Sequence, residues 1–222
     1  MINTIVYLLL TSVLLIVSGI KRVPGIGILF SIIIIAIAYW NNDIFFVQKL
    51  FEYPSNWFYT LFIGFLLASI ISLLSFVLIE PYIERITNQP HNLKAIEHIR
   101  NNWKSTIIYI LIGWGMGGFI EEIIFRGFLM SAFKDVLGTS NFSLLINIAI
   151  TSILFGMAHW YQGKSGALST GIISIFLGLI FIYNQFNLWL PIIVHGFIDT
   201  ISIFIISLGY DKKLVKLIQK QL

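Results

Sequence analysis

Apolar residues in this chain gather into long runs, near 2–20, 23–40, 57–80, 106–130, 143–160, 166–183 and 188–208. About 20 predominantly apolar residues carry a helix across the hydrocarbon core of a bilayer. The pattern therefore predicts an all-α, polytopic integral membrane helix bundle with about seven transmembrane helices. The first run lacks a basic leader and a small-residue cleavage site, so it reads as a retained span. Between the third and fourth runs, Pro81 to Lys104 is the one long polar stretch. Its mixed charges, Glu84, Arg85, Lys94, Glu97, Arg100 and Lys104, predict a solvated or interfacial helical segment. After Asp211, Lys212, Lys213, Lys216 and Lys220 interrupt apolar residues at a spacing that predicts an amphipathic turn or two at the membrane surface. No internal repeat is visible. Residues 1–104 form a first set of spans with the polar connection, residues 105–210 a second set in the same membrane domain, and 211–222 a basic tail.

Composition agrees and excludes much else. The chain is 58% hydrophobic and only 11% charged, against roughly 25% charged in soluble domains. With so little charge the surface of a water-soluble fold could not be covered, and disorder is excluded by the same shortage. No cysteine is present, which removes disulfides, thiolate metal sites and thiol nucleophiles. With seven spans, eleven of the 14 Lys and Arg residues fall on one side, opposed by Lys49 and Lys134 on the other. That bias predicts a multi-pass protein of the cell membrane with its carboxyl terminus in the cytoplasm. The net charge of +4 then reflects topology and contact with anionic lipid, with no nucleic-acid partner.

Six ionisable residues are left inside or at the edge of apolar runs: Glu121, Glu122 and Arg126 in GGFIEEIIFRGF, His159 in LFGMAHW, and His195 and Asp199 in PIIVHGFIDT. A charge at mid-bilayer costs about 2.5–3.5 kcal/mol on insertion scales. Scattered, these residues would be a large penalty; gathered around one hydrated cavity they neutralise and hydrogen-bond each other. Glu122 and Arg126 stand four apart and can pair on one helix face, while the adjacent Glu121 faces elsewhere. His195 and Asp199, and Phe155 and His159, repeat the same spacing. The preceding GWGMGG allows either close helix approach or a break in the helix.

Taken together, Glu121-Glu122-x-x-x-Arg126, Phe155-x-x-x-His159 and His195-x-x-x-Asp199, in that order on three apolar spans, resemble the CPBP family of intramembrane endopeptidases, the CAAX-protease and bacteriocin-processing (Abi) family. The resemblance covers roughly residues 105 to 205 and makes 105–210 the catalytic core. It implies hydrolysis of a peptide bond in a hydrophobic or membrane-associated peptide or protein. Glu121 and His159 would activate water, His195 and Asp199 would stabilise the oxyanion or bind metal, and Glu122 with Arg126 would form a structural ion pair. Asp199 departs from the Asn of the eukaryotic CAAX-cleaving members. An ionised Asp cannot donate to an oxyanion, so Asp199 must be protonated, orient His195 through a ring N–H, or bind a metal. A Zn2+ held by Glu121, His159 and His195, with an open position for water, fits these residues. A metal-free, glutamate-activated water fits them too.

Other readings accompany this one. The cluster could belong to a non-catalytic membrane protein, such as a bacteriocin self-immunity or partner-binding factor, or to a small transporter with a proton relay. No HExxH or GxSxG motif occurs, and the GKS at Gly163–Ser165 lacks the first glycine of a P-loop. One expectation conflicts with a shared site. The apolar runs put His159 about 15–20 Å from the depth of Glu121 and His195, at 1.5 Å per residue. A helix broken at GWGMGG, or a fifth span continuing past Trp160, would remove the conflict.

Overall fold

The structure is a computed structural model that describes residues 2–41 and 47–211; the basic tail predicted beyond Asp211 lies outside them. Among the described residues there is no strand. Six helices are long and apolar enough to cross a membrane, and a seventh is shorter: α1 (Ile2–Ile20), α2 (Pro24–Trp40, the short one), α3 (Trp57–Thr87), α4 (Trp103–Leu137), α5 (Asn141–Ala158), α6 (Gly163–Tyr183) and α7 (Trp189–Ser207). The protein is a polytopic helix bundle of about seven spans.

Local chemistry sets the starts. Asn56, Asn102 and Ser140 cap α3, α4 and α5, each side chain accepting from the backbone N–H three residues on. Pro24 opens α2, where its missing N–H leaves nothing unpaired. Side chains such as Leu9, Val13 and Val17 of α1 and Phe58, Phe62 and Phe65 of α3 face outward. In water they would form an apolar patch far beyond the few hundred Å² a soluble monomer exposes. In lipid they are the ordinary exterior.

The boundaries differ from those expected. Helix α4 starts before residue 106 and runs past 130 to Leu137, and α3 continues beyond 80 to Thr87. The polar stretch is mostly a connection, with one short 3-10 turn at Glu97–Ile99, and is not a helix of its own. It is fastened at both ends. Arg100 makes a two-pronged pair with Asp211 at 2.7 and 2.6 Å and donates to the Ile206 carbonyl, while Asn92 and His91 bond to Tyr161 and Gln162. Burial, and beyond it the nearby His159, holds the His91 imidazole below its ordinary value of 6.5, against the bond to Gln162. The neutral ring donates Nε2–H to Gln162 Oε1 at 3.1 Å.

Helix α4 is not broken at GWGMGG. It widens into π-type turns over Gly113–Glu121 and again over Ile123–Met130. Such turns insert extra residues without ending a helix and are common at functional sites. The widened part packs along α7, which also lies against α3 and α6 around Ala68, Ile71, Leu177, Val194 and Ile198. Hairpin α1–α2 packs on α4 and α5 through Leu8, Leu15, Phe125, Leu129 and Phe155.

Candidate active site

The depth conflict disappears with the true ends of α4. Helices α4 and α5 are joined by a tight turn at Gly138, and Glu121 and His159 are set back from it by nearly equal lengths of helix. Glu121 Oε1 stands 3.8 Å from His159 Nε2. His159 caps α5, and its Nδ1–H donates to the Phe155 carbonyl at 2.8 Å. That bond fixes Nε2 as the nitrogen turned toward Glu121. Phe155 stacks on the imidazole with ring centres 4.5 Å apart.

The neighbouring carboxylate takes the opposite direction. Glu122 Oε1 accepts from His195 Nδ1 at 2.7 Å and from Arg126 Nη1 at 2.8 Å. Arg126 also donates through Nη2 to the carbonyl and hydroxyl of Ser174 on α6 and lies over the Phe155 ring. Glu122 and Arg126 are 0% and 1% exposed, whereas Glu121 and Asp199 are only half-buried. The inner pair therefore ties α4, α6 and α7 together, and the outer carboxylates face open space.

With Nδ1 committed to Glu122, His195 presents Nε2, which stands 3.8 Å from Asp199 Oδ1. The orienting partner of His195 is thus Glu122, one of the roles the sequence leaves open for Asp199. Asp199 in turn fits against Gly113 and Gly117 of the widened turns. A Cβ on Gly117 would overlap the Asp199 carboxylate, so glycine there leaves the carboxylate its present place between α4 and α7. Trp114 Nε1–H donates to Thr200 Oγ1 at 3.0 Å and fixes the same contact.

Glu121, His159, His195 and Asp199 line one cavity of about 330 Å³. A second cavity of about 220 Å³ shares Glu121 and His159 and is closed by apolar residues of the hairpin and α4, among them Leu15, Ile28, Met116 and Phe125. Glu121 and His159 therefore stand where the two cavities meet.

As for the metal set Glu121, His159 and His195, the two Nε2 atoms face different carboxylates. Among the described residues no group of three His, Asp or Glu side chains is arranged to hold a metal ion. Among the described residues this arrangement does not assemble the zinc site. Sequence reasoning missed Ser174, a hydroxyl in an apolar helix that carries no signal of its own. It also missed Glu80, which looks like the edge of a loop yet lines the larger cavity.

Residues 95–201, nearly half of the chain, match the family model described as "Type II CAAX prenyl endopeptidase Rce1-like". The match falls on the segment that carries the six intramembrane ionisable residues and agrees with the resemblance read from them. Neither a curated relative nor a solved structure matches the chain.

Proposed function

We propose that this protein is an intramembrane endopeptidase that cleaves a hydrophobic or membrane-associated peptide by glutamate-activated water. The observation that carries the reading is the 3.8 Å separation of Glu121 Oε1 and His159 Nε2 at the junction of the two cavities. The gap exceeds a direct hydrogen bond and suits a water in contact with both atoms. Glu121 takes a proton from that water as its oxygen bonds to the scissile carbonyl carbon. The carbonyl oxygen gains the charge, and His195, when protonated at Nε2, is the donor for it, with Asp199 as counter-charge. The C–N bond then breaks, and the proton held by Glu121 or relayed through His159 Nε2 passes to the leaving nitrogen. Glu122 and Arg126 keep the His195 ring aimed. Apolar residues of the substrate are accommodated beside Leu15 and Ile28. The Lys and Arg bias of the connections supports a cytoplasmic carboxyl terminus.

Cleavage of apolar peptides by purified full-length protein in detergent tests the reading. Glu121→Gln, which keeps the shape and removes the base, should lower the rate by roughly 10²–10⁴-fold without shifting the unfolding temperature. Exhaustive chelation should leave the wild-type rate unchanged. Equal rates in wild type and Glu121→Gln would sink the proposal. Loss of activity on chelation, restored by zinc, would replace the water mechanism with a metal one.

A further inference from the structure

The larger cavity extends from Glu121 and His159 to a second polar end that the hydrolysis above does not use. That end is built by Ser72, Ser75 and Glu80 of α3. Helix α3 also turns in the π manner at Ser75–Ile79, and Pro81 follows directly. The widened turn carries Glu80 onto the cavity wall in place of lipid. Its carboxylate accepts a single hydrogen bond, from Ser75 Oγ at 3.3 Å, and no Lys or Arg pairs with it among the described residues. Asp211, also on the wall, is already neutralised by Arg100. Ser72, only 3% exposed and lining the same end, has a hydroxyl with no hydrogen-bond partner. Buried polar groups ordinarily find partners, so a carboxylate on the cavity wall with one hydroxyl donor and no cation marks a place for a ligand group.

The sign of the whole wall says which group. Four carboxylates line it, Glu80, Glu121, Asp199 and Asp211, with three histidines and no lysine or arginine. A substrate carboxylate in this chamber would meet no lysine or arginine, while an ammonium or guanidinium would meet Glu80 directly.

We propose that Glu80, with Ser72 and Ser75, forms a subsite for a basic side chain of the substrate, so that the peptide cleaved carries a lysine or arginine near its scissile bond. The subsite rests on the endopeptidase reading and specifies its substrate class: a cationic apolar peptide cut internally, not one held by its terminal carboxylate.

The test separates binding from chemistry. Full-length Glu121→Gln protein in detergent is titrated with fluorescein-labelled apolar ten-residue peptides in which one lysine is moved along the positions. Matching peptides carry norleucine, which keeps the four-carbon stem of the side chain and removes its ammonium group. At the best position lysine should bind about tenfold more tightly than norleucine. Glu80→Gln in the same background should bring that ratio close to one, and Glu80→Asp should retain part of it. Equal affinity for both peptide sets, a preference that survives Glu80→Gln, or no binding by either set would overturn the subsite. Cleavage by wild-type protein without lysine preference would remove the subsite and leave the peptidase. Lysine-selective binding without cleavage by wild-type protein would do the reverse.

Discussion

Hairpin α1–α2 and the α4–α7 unit both present apolar exteriors, but their buried polar groups behave differently. In the hairpin none of the three reaches another helix: Ser18 donates to the Leu15 carbonyl, Ser31 to the Gly27 carbonyl, and the Thr11 hydroxyl has no partner among the described residues. Between α4 and α7 some, such as Thr151, also turn back, but four contacts reach across helices: Arg126 to Ser174, Glu122 to His195, Trp114 to Thr200 and Asn147 to the Met130 carbonyl. A hydroxyl satisfied within its helix says nothing about the neighbour, so the hairpin is held by shape. A side chain satisfied across helices fixes their register, and the register sets the site. The hairpin still touches the site by contact alone, for a Cβ on Gly19 would overlap the Met157 carbonyl just before His159.

The contrast predicts unequal responses to substitution. Arg126→Ala leaves Glu122 buried without its cation and frees the Ser174 hydroxyl; the loss should be about 3–5 kcal/mol. Thermal unfolding in detergent measures it, beside Ser31→Ala in the hairpin, which should cost no more than about 1 kcal/mol. Equal losses would end the distinction between the two regions. Gly117→Ala is intermediate, since the added methyl must displace the Asp199 carboxylate or separate α4 from α7; about 1–3 kcal/mol is expected. It should also lower peptide cleavage, whereas a variant that loses stability but keeps full activity would detach Asp199 from the site. The smallest effect concerns the connection that closes the cavity. His91 is held below 6.5 by burial, so the unfolded chain binds its proton more readily. The stability gained by burying the ring in its neutral form is present above pH 6.5 and declines as the pH falls through that value toward the lowered folded one, because a charged ring is costly to bury. Amide exchange over residues 88–102 should speed up between pH 7.5 and 5.5 in wild type and change less in His91→Asn. Slower exchange at the lower pH would contradict this assignment.

What the sequence discloses follows the same division. Charges in apolar runs are conspicuous because the membrane penalises them, so Glu121, Glu122, Arg126, His159, His195 and Asp199 could be picked out singly. Their separation into a Glu121–His159 pair and a Glu122–His195–Arg126 chain needed the structure, because spacing along one helix does not say which neighbour each side answers. The end of α4 was obscured by Lys134 and Asp135, which look like a loop. Lys134 in fact lies over the Phe186 ring, with its charge 4.5 Å from the ring centre, and the helix continues beneath it. The polar stretch misleads in the opposite direction: its mixed charges predict a solvated or interfacial helical segment, but its backbone is held by bonds to distant turns at Gln162 and Ser207.

The π-widened stretch of α4 has a consequence for how such a chain can change over generations. Two adjacent glutamates serve two histidines on separate helices because the backbone between Gly113 and Met130 carries more residues per turn than a regular helix. Removing one residue inside the widened stretch would tighten its winding and change which of its side chains face α5 and α7. Every letter of the proposed site would remain while its carboxylates faced new neighbours. The count of residues between Trp103 and Leu137 is therefore as much a part of the site as their identities, and a lineage could vary the lipid-facing letters freely but not that number.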